Sequence, residues 1–181
     1  NRLIALPRPL KGMLIVGEHS ISYHNGTYSK SAAMKCTNIE TYGFIDPDGS
    51  RILLGDHIGR LFCLVLTVTD NKVTKLNLEF LAETSIPSSI NYLDSGVVFI
   101  GSQTGDSQLI RLCTEPNPSN DQLTEVLDTY PNLGPISDFC FVDTGKQGQP
   151  QLVTCSGVFK DGSLRVVRNG IGMTEVSCEI P

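Results

Sequence analysis

Three histidines (His19, His24, His57), six cysteines (Cys36, Cys63, Cys113, Cys140, Cys155, Cys178) and nineteen acidic residues are the groups in this chain that could ligate a metal or move a proton. Their spacing assembles neither function. No metal-ligand spacing links the histidines to cysteines or carboxylates, and no two cysteines form a C-x-x-C pair. Gly105-Asp106-Ser107 sets an acid beside a hydroxyl, but a turn whose Asp and Ser bond the local backbone explains it. Cys155-Ser156-Gly157 sets two nucleophiles at a strand end, with no base near them in sequence to activate either. There is no phosphate loop, no dinucleotide fingerprint and no nucleophile elbow. No catalytic residue, metal or cofactor is therefore expected. An enzyme working from a central channel would need converging polar or metal-binding residues, and none are visible.

The elements that must carry these residues repeat. Val97-Val98-Phe99-Ile100-Gly101 runs into Ser102-Gln103-Thr104-Gly105-Asp106, and Leu109-Ile110-Arg111-Leu112 returns. Two apolar runs around closely spaced glycines read as a hairpin, because glycine takes positive φ without steric cost. The same pattern stands at residues 51–66 and 151–167, and in shorter form at 13–23. Gly17, Gly55, Gly101 and Gly157 mark it at intervals of 38, 46 and 56 residues. Before the last three copies lies a short apolar strand ending at Asp46, Asp94 or Asp143, followed by a glycine turn. After two copies comes a more polar strand, at 75–84 and 122–130. Four strands in order, repeated at this period, describe a blade of a β-propeller. A β-sandwich also has many short strands, but it need not repeat one unit in order.

The fold expected is all-β: a partial β-propeller over residues 1–181, with three four-stranded antiparallel blades and part of another. Residues 1–41 read as an incomplete blade with loops, the polar stretch after residue 25 supplying a weak outer strand. Blades follow at 42–86, 88–131 and 134–178. The chain reads as a piece of a larger protein, since it starts at Asn1 inside a blade; a small open propeller is the alternative, and it would leave raw strand edges. Residues 114–121 (Thr-Glu-Pro-Asn-Pro-Ser-Asn-Asp) are rich in breakers and read as a disordered surface loop. No segment shows sustained helical periodicity. Asn25-Gly26-Thr27 matches a glycosylation acceptor, yet Asn-Gly as a hairpin turn accounts for it.

Composition bounds the partners. The chain is 40% hydrophobic and 18% charged, as ordinary globular proteins are. Its net charge is −5 and its basic residues are scattered, which argues against a direct phosphate-binding surface. No apolar run is long enough to cross a membrane and no secretory signal opens the chain, so no membrane partner is expected. Cys63, Cys140 and Cys155 lie in apolar strand runs, where reduced thiols act as small hydrophobes; an intracellular protein without a disulfide frame is expected.

Binding is the better expectation. Propellers present inter-strand loops on one face and use their sheets as a rigid base. Three loops here occupy equivalent or adjacent repeat positions: 101–105, 133–136 and 157–160. They carry Thr104, Pro135, Ile136, Val158 and Phe159. If exposed together, the apolar members make a patch suited to a helix or strand of a partner. Packing the blade ends is the other use such residues find, and the pattern does not choose.

These residues also carry a resemblance. Leu152-Val153-Thr154-Cys155-Ser156-Gly157, Phe159-Lys160, Gly162-Ser163-Leu164-Arg165 and Arg168-Asn169-Gly170-Ile171-Gly172 are similar to the large-subunit family of the UV-damaged DNA-binding factor, the adaptor of cullin-4 RING ubiquitin ligases. Asn132-Leu133-Gly134-Pro135-Ile136, Gly105-Asp106-Ser107-Gln108-Leu109, and Gly49-Ser50-Arg51 with Leu53-Leu54-Gly55-Asp56 match in the same order. The large propeller subunits of a splicing factor and of the cleavage-polyadenylation factor are similar but fit the final motif less well. The resemblance implies three seven-bladed propellers and a helical domain in the parent, this chain being the latter part of the first propeller. It implies a non-catalytic adaptor in nucleus and cytoplasm, linked to DNA damage recognition and nucleotide excision repair. Its partners would be WD-repeat substrate receptors, held in a cleft between the first and third propellers, and a cullin held by a part absent here. Damaged DNA would be gripped mainly by a partner subunit. The loop positions lining the cleft match Thr104, Pro135, Ile136, Val158 and Phe159, although the family tends to have a smaller residue at position 158. A propeller subunit of an RNA-processing complex is the alternative.

Overall fold

The structure is a computed structural model and describes residues 2–70, 72–118, 120–143 and 150–167. Four antiparallel sheets take their strands in chain order. The first holds β1 (Arg2–Ala5), β2 (Met13–Val16), β3 (Ser20–His24) and β4 (Ser29–Ala33). The second holds β5 (Ile39–Phe44), β6 (Arg51–Asp56), β7 (Arg60–Thr69) and β8 (Lys72–Glu83). The third holds β9 (Ser89–Tyr92), β10 (Val97–Gly101), β11 (Ser107–Leu112) and β12 (Thr124–Tyr130). The fourth has three described strands: β13 (Ile136–Val142), β14 (Gln151–Ser156) and β15 (Ser163–Val167). The protein is thus all-β, a partial propeller of three four-stranded blades plus part of another. A single 3-10 turn, Phe159–Asp161, is the helical element among the described residues.

The first blade is fuller than the incomplete blade expected of residues 1–41, and its weak outer strand is in place. Ser29–Ala33 pairs with β3 from Ser20↔Ala33 to His24↔Ser29 and completes the first blade. This strand is almost wholly polar or small, so it shows no apolar alternation; its ladder with β3 supplies what its side chains do not. The fourth blade keeps three described strands, and residues 168–178 of its expected span lie outside the described residues. The polar stretch after β11 is also more ordered than expected. Backbone bonds from Asn117 N–H to Gln122 O (2.8 Å) and from Asp121 N–H to Asn117 O (2.8 Å) close it into a turn.

Side-chain alternation decides where the core sits. In β6, Ile52 and Leu54 join a cluster with Ile4, Leu14, Ile21 and Tyr23 of the first blade. Leu53, between them, points the other way into a second cluster with Leu61, Ile90, Val98, Ile100 and Ile110. A strand covered on both faces must be apolar at consecutive positions, which is why Ile52-Leu53-Leu54 runs unbroken. The apolar cores therefore lie between blades one and two and between blades two and three. Cys63 belongs to the second, and burial pushes its thiol pKa up, as expected of an inert core cysteine. Cys155 is half-buried, but Cys140 is exposed, against expectation, because both faces of β13 are open to solvent. Five free cysteines are described and none is bridged; Cys178 lies outside the described residues.

The tight turns follow from their residues. Asp56 Oδ1 accepts the amides of Ile58 (3.1 Å) and Arg60 (2.7 Å), folding the link between β6 and β7. Asn25 Oδ1 accepts Thr27 N–H (3.2 Å) and Tyr28 N–H (3.3 Å), so Asn25-Gly26-Thr27 is the hairpin turn its sequence suggests. No described helix is long and apolar enough to cross a membrane.

Candidate partner-binding site

Thr104 lies in the turn between β10 and β11, and serines shape that turn. Ser102 Oγ accepts the amides of Thr104 (3.3 Å) and Gly105 (3.1 Å), while Ser107 Oγ accepts Ser102 N–H (3.2 Å). Asn132 then ties the next loop to it. Its Nδ2 donates to Ser102 O and Gly105 O (3.3 Å each), and its backbone N–H donates to Asp106 Oδ1 (2.9 Å). Its Oδ1 accepts Gly134 N–H (3.0 Å), which folds the chain just before Pro135.

The third loop closes on the first two. Gly157 N–H donates to Pro135 O (2.9 Å) and Val158 N–H to Thr104 O (3.0 Å). Gly157 sits at φ +75, and a Cβ there would stand 2.7 Å from Thr104 O, so both backbone angle and close approach require glycine. The structure thus brings Thr104, Pro135, Ile136, Val158 and Phe159 to one rim. Pro135 and Ile136 are exposed, Thr104 and Val158 are half-buried, and Phe159 is 87% exposed at φ 53. A bulky side chain with positive φ is uncommon and persists only where its surroundings hold it.

Asp106 does more than bond its own turn. Its Oδ2 accepts Arg165 Nη2 (2.7 Å) from β15, and its Oδ1 takes the Asn132 amide. Burial works against the charged carboxylate, but the Arg165 hydrogen bond and the Asn132 amide outweigh it and hold Asp106 below the usual carboxylate range. Ser156 Oγ shares a hydrogen bond with Thr154 Oγ1 (2.8 Å). Beside the rim, Ser137, Cys155, Ser156, Gly157, Gly162, Ser163 and Leu164 line an open cavity of about 400 Å³.

Residues that hold this rim were partly legible. Asn132 stood in a motif of the family resemblance, and its place two positions before Gly134 suits an Asx turn, a signal the sequence analysis did not use. Lys160, Asp161 and Arg165 gave no local signal, because their partners lie on other blades. Far from the rim, Glu18, His19 and Cys36 place ligand atoms within 4.8 Å of one another, a grouping that spacing in sequence did not suggest. Backbone bonds from Met34 to His19 (2.8 Å) and from Thr37 to Glu18 (3.0 Å) bring the two segments together. All three side chains are exposed, and such open groupings are common without an ion.

Comparison with known proteins agrees with this architecture. The family model for the RSE1/DDB1/CPSF1 first β-propeller matches residues 1–151. The chain is 56% identical over 174 residues to DNA damage-binding protein 1 of Oryza sativa subsp. japonica. It is 54% identical over 173 residues to DNA damage-binding protein 1b of Arabidopsis thaliana and to DNA damage-binding protein 1 of Solanum lycopersicum. Each match covers 96% of this chain and 16% of the relative, so the chain spans about a sixth of the length of these proteins. With four consecutive sheets in meander order and a family match over most of its length, the chain belongs to the RSE1/DDB1/CPSF1 first β-propeller family.

Proposed function

We propose that this chain is part of a non-catalytic scaffold, the adaptor of a cullin-4 RING ubiquitin ligase. Its rim of Thr104, Pro135, Ile136, Val158 and Phe159 contacts WD-repeat substrate receptors. The cullin is held by another part of the protein. The adaptor serves DNA damage recognition and nucleotide excision repair in nucleus and cytoplasm. The observation that carries this reading is the 87% exposed Phe159 ring, held beside exposed Pro135 and Ile136 by backbone bonds between three loops. An exposed aromatic on a rigid, hydrogen-bonded base is the kind of anchor that dominates protein interfaces. The relatives' name, DNA damage-binding protein 1, supports the repair setting. A net charge of −5 supports contact with nucleic acid through a partner subunit rather than directly.

Affinity for a purified WD-repeat receptor, measured with the full-length protein, tests the reading. Pro135→Glu combined with Phe159→Ala is expected to cost about 2 kcal/mol or more, roughly thirtyfold in Kd, with folding intact. Unchanged affinity would remove the rim from the receptor site. The family model also spans RSE1 and CPSF1, which keeps a propeller subunit of an RNA-processing complex as the second reading. Co-purification of cullin and receptors, against co-purification of splicing or cleavage-polyadenylation components, separates the two.

A further inference from the structure

The loop that carries Phe159 inverts the usual partition of side chains. The apolar ring faces solvent, while the polar ends of its two charged successors, Lys160 and Asp161, turn onto protein backbone. We propose that Lys160 and Asp161 are positioning residues that clasp this loop to the two preceding blades and so fix the direction in which Phe159 is presented. The inference rests on the reading of the rim as a partner-binding surface and adds residues to it.

Each bond of the clasp reaches out of the fourth blade. Lys160 Nζ donates to Thr84 O (2.7 Å), just beyond β8. Thr84 is itself fixed, its N–H donating to Gly59 O (2.8 Å). A Cβ on Gly59 would stand 2.5 Å from Lys160 Nζ, so the ammonium lies directly against the β6–β7 turn. Asp161 Oδ2 accepts Ile86 N–H (2.8 Å) in the link between blades two and three. Asp161 Cβ would be 2.5 Å from a Cβ on Gly105, so the residue after Thr104 must be small for the carboxylate to reach Ile86. Within the loop, Asp161 N–H donates to Val158 O (3.1 Å) and Gly162 N–H to Phe159 O (3.2 Å).

These bonds explain the backbone of Phe159. A ring 87% exposed has too little packing of its own to impose φ 53 on a bulky residue. Val158, bonded to Thr104 on one side, and Lys160 and Asp161, bonded to Thr84 and Ile86 on the other, leave the residue between them one direction to point. Loss of either charged residue frees the loop to relax, and the ring then has to be ordered at the moment of binding.

A double-mutant cycle tests the proposal, using the full-length protein and a purified WD-repeat receptor as probe. Phe159→Ala, Asp161→Ala and Lys160→Met are each expected to weaken binding about tenfold. Asp161→Ala or Lys160→Met added to Phe159→Ala is expected to cost almost nothing more, since both act through the ring. Asp161→Asn keeps an acceptor for Ile86 N–H and is expected to bind close to wild type. Thermal unfolding of every variant separates loss of fold from loss of position. Additive losses, or full affinity in Asp161→Ala and Lys160→Met while Phe159→Ala binds weakly, would overturn the clasp and leave the rim reading standing. Full affinity in Phe159→Ala would overturn the rim reading and the clasp with it.

Discussion

Asp56 is fully buried, and one carboxylate serves four donors. It accepts Thr37 Oγ1–H (2.8 Å), Arg60 Nε–H (2.6 Å) and the amides of Ile58 and Arg60. Burial alone would raise its pKa; the Arg60 amide, Thr37 and the Arg60 guanidinium outweigh it, and the pKa is lowered. A carboxylate with a lowered folded pKa adds stability above its unfolded value of about 3.9, and that stability is lost as pH falls through the folded value. Urea unfolding from pH 7 to pH 3 should therefore show a loss of stability towards the acid end, and Asp56→Asn should flatten part of it. Asp46, held low chiefly by Arg51, and Asp106 act in the same direction. Asp56→Ala leaves Thr37 and the Arg60 amide without their partner and is expected to cost about 3 kcal/mol, read from denaturant midpoints.

At the scale of elements, blades are joined in two different ways. Blades one, two and three share apolar clusters, whereas the described residues of blade four leave Phe139, Phe141, Leu164 and Val166 exposed. Among the described residues, polar bonds tie it to its neighbours: Arg165 to Asp106, Val158 to Thr104, Lys160 to Thr84 and Asp161 to Ile86. Arg165→Ala is expected to quicken amide exchange in β13–β15 while β6 and β10 stay protected. Equal protection in all sheets would show that the ion pair does not secure the blade. This contrast also marks what the sequence could convey. Apolar alternation and glycine turns made β6, β7, β10 and β11 legible, because a hairpin is specified by neighbours in the chain. Outer strand β4 was only weakly legible, since Ser29-Lys30-Ser31 carries no apolar signal and its place is set by pairing with β3. Thr104, Pro135, Ile136, Val158 and Phe159 could be named from repeat position and family resemblance. That Lys160 and Asp161 bond the backbone beyond their own blade could not, because their partners lie 76 and 75 residues away.

Over the whole molecule, the described blades leave apolar sheet surface at both ends of the series. Leu3, 67% exposed, stands with Met13 and Ile15 on the first blade; on the fourth, Phe141, 68% exposed, shares one face with Phe139, and Leu164 and Val166 lie on the other. Patches of this kind are rare on monomers. Residues 1–181 prepared alone are therefore expected to self-associate in sedimentation and to bind a hydrophobic dye. Leu3→Ser with Phe141→Ser should reduce both. A monodisperse monomer that binds no dye would mean that other residues of the chain cover these surfaces.

The clasp at Phe159 has a consequence for how the protein folds. Within the blades, the strand ladders join residues close in the chain, but the Lys160 and Asp161 bonds close spans of 76 and 75 residues. Loop-closure entropy rises with span, so long-range contacts are made only after the local ones that shorten the effective loop. The ladders should zip blade by blade from local nuclei, and the clasp should be fastened near the end of the reaction, once blades two, three and four are in register. Exposure of a finished Phe159 loop then reports that folding is complete, and a chain still emerging from synthesis has no such surface to offer.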